Sequence, residues 1–170
     1  FYPEATSFTD TVQLKNYPSV FGGTIWLRHF WHPMIGSHLN NQQDSSTYYA
    51  IRKVWSSEGG MKKFWIGFNN IGRANATDSP PAGEWDYKSS RVWVNGKLIS
   101  PPNWKRAGQK GDLEIPLTNE GYENREPANI YLQKGWNTIL IKAPVGTFKS
   151  EWNNPVKWMF TFVMNDESRK

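Results

Sequence analysis

The chain has 170 residues, 38% hydrophobic, 15% aromatic and 21% charged, which is enough apolar material for one buried core and too much for wholesale disorder. It is too short for a (β/α)8 barrel of roughly 250 residues and has no apolar run near the ~18 residues of a membrane span; with no cysteine, disulfides, thiolate zinc and thiol catalysis are excluded. The net charge of +5 comes from scattered cations such as Lys62-Lys63 and Lys105-Arg106, without a basic stripe or an RNA-binding aromatic signature, so nucleic acid is not an expected partner.

The chain opens on Phe1 with no basic-then-apolar leader, and reads as a piece of a longer or processed protein. Residues 24–31 and 47–55 are rich in β-branched and aromatic side chains and predict strands. In the second, Tyr49, Ile51, Lys53 and Trp55 share one face, and Tyr48, Ala50, Arg52 and Val54 the other. Residues 62–68 predict a third strand. Arg91-Val92-Trp93-Val94 followed by Asn95-Gly96 predicts a hairpin with a type I′ turn, returning through residues 97–99. Short strands are expected at 112–117 and 130–132. A turn at 133–136 then leads into a buried strand at 138–142 that Pro144 stops, and the last strand is expected at 156–165. Residues 36–46, 69–90, 103–111 and 119–127 read as loops, and 166–170 as a frayed tail.

Eight or nine short strands with turn signals between them predict an all-β fold, a single β-sandwich or jelly roll over residues 1–170. No blade-length repeat suggests a propeller.

Five constellations bear on chemistry. Glu84-Trp85-Asp86 sets two carboxylates at i and i+2, on one face of an extended segment. A retaining glycosidase needs such a pair about 5–5.5 Å apart, but the segment is Pro/Gly-rich, and surface charge or a salt bridge is the plainer reading. Asp166-Glu167 is an adjacent acid pair in the tail, where no rigid desolvated setting is expected. His29 and His32 fall on opposite strand faces and do not form a metal site together. No cofactor is implied. A structural Ca²⁺ on the loop oxygens of Asp78, Glu84, Asp86 and Asp112 is the one metal option left open, with no distinctive spacing behind it. For sugar binding, Trp85, Trp104, Tyr122, Arg125 and Trp152 fall in predicted loops, where aromatic planes can stack on pyranose C–H faces; the plainer role is to plug the ends of the sandwich. Trp26, Trp93 and Trp158 fall inside strands and are assigned to structure.

Two segments carry a resemblance. Val92-Trp93-Val94-Asn95-Gly96-Lys97 resembles the hairpin of galactose-binding-like jelly rolls attached to glycosidases, and Leu132-Gln133-Lys134-Gly135-Trp136-Asn137 resembles their turn-and-strand motif, where Asn137 can bond back across the turn. Pro80-Pro81-Ala82-Gly83-Glu84-Trp85-Asp86, Pro101-Pro102-Asn103-Trp104, Arg125-Glu126-Pro127 and Val156-Lys157-Trp158-Met159-Phe160 follow in order. Together they are similar to the C-terminal β-sandwich module of bacterial β-N-acetylhexosaminidases of glycoside hydrolase family 20, the chitobiase type. The similarity is good over the second half of the chain and loose over the first. In that family the catalytic Asp-Glu pair lies in a separate barrel, so no catalytic residue is carried over. The resemblance implies a galactose-binding-like fold and a non-catalytic module. Its partner would be the catalytic domain of the same polypeptide, with N-acetylhexosamine glycans as a further candidate, in the periplasm or outside the cell. An autonomous carbohydrate-binding module is the first alternative. A sandwich-fold glycoside hydrolase using Glu84 and Asp86 is the second.

Overall fold

The computed structural model describes residues 17–28, 38–39, 41–43, 45–69, 80–104, 107, 127–146 and 158–165. Eight strands run through them: β1 (Thr24–Arg28), β2 (Thr47–Ser56), β3 (Gly60–Asn69), β4 (Arg91–Val94), β5 (Lys97–Leu98), β6 (Ala128–Leu132), β7 (Gly135–Pro144) and β8 (Trp158–Met164). The described residues include no helix. The strand expected at 112–117 lies outside them, as do 29–31 and 156–157 of two other expected strands.

The strands form two four-stranded sheets, ordered β1-β8-β3-β6 and β2-β7-β4-β5, with every pairing antiparallel. Alternation along each strand decides what meets between them. Ile25 and Leu27, then Phe64, Ile66 and Phe68, Ala128, Ile130 and Leu132, and Trp158, Phe160 and Phe162 point inward from the first sheet. Val92 and Val94 with Ile139, Ile141 and Ala143 meet them from the second, joined by the half-buried Tyr48, Ala50 and Val54. Tyr48 meets Trp158 edge-on across the two layers, at 5.0 Å and 79°. The result is a sandwich on one shared core, each large side chain contributing about 1.5–3 kcal/mol by leaving water.

The Asn95-Gly96 turn has φ of 50° and 78°, the pair of positive angles a type I′ hairpin requires. Ladder pairing of β5 ends at Leu98, one residue short of the expectation, although the Ile99 N–H still donates to the Val92 carbonyl at 2.9 Å. The turn between β6 and β7 has Gly135 at φ 98°. Asn137 closes it from a fully buried position: Nδ2 donates to the carbonyls of Gln133 and Gly135, and Oδ1 accepts the Gln133 N–H. Asn95 reaches the same node, its Nδ2 donating to Asn137 Oδ1 and its Oδ1 accepting the Thr138 N–H, each at 2.8 Å. The two turns are therefore fastened side by side at one end of the second sheet.

Register also defines that sheet's outer face. Ile51, Leu140, Trp93 and Leu98 form one apolar row across its four strands. Lys53 and Thr138 form the next row, and Trp55 opposite Trp136 the last.

Candidate functional site

The Glu84–Asp86 segment is a structural corner. The buried Asp86 accepts hydrogen bonds at Oδ1 from the backbone N–H groups of Lys88 and Ser90, and at Oδ2 from the Ser90 hydroxyl at 2.5 Å. A short side chain that satisfies nearby loop donors is the usual way Asp shapes a turn, and Ser89 sits inside this one at φ 61°. Glu84 instead pairs with Arg91 at the start of β4, 2.6 Å from Nη1, with both side chains partly exposed. The two carboxylates are thus bound to different partners, one in a loop and one in an ion pair.

Trp85 and Trp104 come together against the core. Trp85 is 2% exposed, and its indole N–H donates to the Ile99 carbonyl. It lies edge-on to Phe68 at 6.1 Å and to Trp104 at 6.3 Å. Trp104 is half-buried and donates its own N–H to the Glu84 carbonyl at 2.8 Å. In this arrangement the pair closes one end of the sandwich, and Trp85 offers no open face to a sugar ring. Tyr122, Arg125 and Trp152 lie outside the described residues, as do Asp78, Asp112, His29, His32, Asp166 and Glu167. His38 is described and serves the backbone of β1, its Nδ1 accepting the Trp26 N–H at 2.9 Å. The described residues hold no group of three or more His, Asp or Glu side chains arranged to take a metal ion.

Two features stand out instead. At the open side of the sandwich a pocket of about 320 Å³ is lined by Gly22, Gly23, Arg52, Val54, Phe64 and Phe162, among others. Arg52 lies on the inward register of β2 yet is exposed, because β2 is an edge strand and its long side chain reaches solvent there. At the turn end of the second sheet, Trp55 and Trp136 stand directly opposite each other, 57% and 60% exposed. Their rings meet at 5.4 Å and 72°. Sequence reading left both indoles out of the candidate site. The signal was present, since Lys53 marks its face of β2 as the wet one and Trp55 shares that face.

No family model, no curated protein and no solved structure matches this chain.

Proposed function

We propose that the chain is a non-catalytic β-sandwich module of a larger glycoside hydrolase, of the galactose-binding-like type found at the C-terminus of β-N-acetylhexosaminidases. Its partner is the catalytic domain of the same polypeptide, against which it packs. The parent enzyme works in the periplasm or outside the cell. One observation carries the non-catalytic reading: Asp86 and Glu84 are tied separately into a loop and an ion pair, leaving no free acid–base couple there. The node joining Asn95 to Asn137 supports the resemblance, because it links the two motifs that suggest it through one set of hydrogen bonds. A second reading, an autonomous carbohydrate-binding module, is favoured by the exposed Trp55–Trp136 pair.

The purified chain is expected to release no chromophore from an aryl N-acetyl-β-glucosaminide above the buffer blank. Hydrolysis that disappears in Glu84→Gln would replace this reading with that of a sandwich-fold hydrolase.

A further inference from the structure

The outer face of the second sheet is divided. The apolar row Ile51–Leu140–Trp93–Leu98 is shared by all four strands, and Leu140 within it is only 7% exposed. The Trp55–Trp136 pair stands two residues further along β2 and β7 from the intervening Lys53–Thr138 row, about 7 Å beyond it. That polar row separates the two indoles from the rest of the apolar surface. The cores of protein–protein interfaces are depleted of lysine. A small aromatic patch rimmed by polar groups therefore suits an amphipathic small ligand better than a broad protein face.

The corner has shape as well as area. With ring planes at 72°, one indole offers a flat face and the other a wall beside it. The Trp55 ring stands beside the turn backbone: a Cβ at Gly135 would lie 3.9 Å from it, an ordinary contact. The turn itself is rigid, held by Asn137 beneath and by Gln133, whose Nε2 donates to the Trp136 carbonyl at 3.1 Å. Lys53 and Lys134 are exposed and form no ion pair among the described residues. Tyr131, also exposed, pairs with Met61 in the first sheet and belongs to a different face.

We infer that the Trp55–Trp136 corner is a binding site for a pyranose oligosaccharide. The C–H face of one sugar ring stacks on an indole, and its hydroxyls accept from Lys53 and Lys134. The site deepens the reading of the chain as a glycan-associated, non-catalytic module and rests on it. Hydrolysis and binding are measured separately, so either conclusion can fail alone.

The test is an NMR titration of the indole N–H signals of the full 170-residue chain with chitotetraose, cellotetraose and maltotetraose in turn. Saturable shifts at Trp55 and Trp136 with at least one tetrasaccharide are expected. Trp55→Ala and Trp136→Ala should each weaken that binding about tenfold or more, as loss of an aromatic anchor does, while Leu98→Ala in the neighbouring apolar row leaves it unchanged. Both tryptophans are exposed, so the amide spectra of the variants should otherwise match the parent. No shift with any of the three at about 20 mM, well above a millimolar Kd, would overturn the proposal. So would binding that survives in both tryptophan variants.

Discussion

Asn137 does the work of several residues. It is fully buried, makes bonds to Gln133 and Gly135, and receives one from Asn95. Removing its amide leaves the Gln133 N–H and the carbonyls of Gln133 and Gly135 to find new partners at a half-buried turn. Orphaned buried polar groups cost about 1–3 kcal/mol each when unrelieved. Asn137→Ala is therefore expected to lower stability by roughly 2–4 kcal/mol, with some relief as the exposed Gln133 relaxes toward solvent. Urea unfolding followed by far-UV circular dichroism measures this; a change below about 0.5 kcal/mol, the scale of an ordinary surface substitution, would show the node to be ornamental. Asp86 is a parallel case. In the linear sequence its carboxylate can be weighed as half of a catalytic pair, with surface charge or a salt bridge the plainer reading; in the fold it is buried and three donors from Lys88 and Ser90 occupy it.

Among the elements, the hairpin was the most legible. Asn-Gly between apolar strands leaves little choice, because few other dipeptides accept two positive φ angles cheaply. Gly96 tests this cleanly. At φ 78°, a Cβ added there would meet nothing within 4 Å, so Gly96→Ala introduces backbone strain without a clash. About 1 kcal/mol of destabilisation is expected, the lower end of the left-handed penalty for a residue with a Cβ. Thermal unfolding of the variant checks it, and an unchanged midpoint would mean the turn relaxes to another type. Strand faces were legible too, as β2 shows: Lys53 and Trp55 lie outward, while Ala50 and Val54 lie against the core. The partnerships of strands were not. β1 pairs with β8, and Thr24 meets Thr161 through their hydroxyls at 2.8 Å, 137 residues apart. Periodicity reports which way a side chain points and carries no information about a neighbour so distant. Burial of loop residues could be stated only as the plainer role, without saying what they would pack against. Pro80, Pro81 and Gly83 signal irregular backbone around Trp85, yet irregular backbone can still deliver an indole into the core when its N–H finds a carbonyl, here that of Ile99. For Trp85 the plainer reading, a plug at the end of the sandwich, is the one the fold realises, whereas Trp55 and Trp136 were passed over.

At the scale of the whole molecule, both sheets contribute to one core, and the two ends of the second sheet differ in kind. One is closed by Trp85 and Trp104 with their indole N–H groups satisfied. The other is fastened beneath by the asparagine node and exposes its tryptophans above. The fastening between Asn95 and Thr138 spans 43 positions of chain. It can exist only once β4 has found β7 and both turns have closed, so it registers the completion of assembly. Asn95→Gly deletes the side-chain bonds while keeping a residue at home in a type I′ turn. Bonds absent from the folding transition state slow escape from the native state without hastening arrival. In stopped-flow chevrons, Asn95→Gly is therefore expected to raise the unfolding rate about five- to tenfold, the kinetic equivalent of roughly 1 kcal/mol, with the refolding arm nearly superimposed on the parent's. Equal movement of both arms would place the node early instead. On this view the paired asparagines act as a latch, setting how long the finished sandwich stays shut.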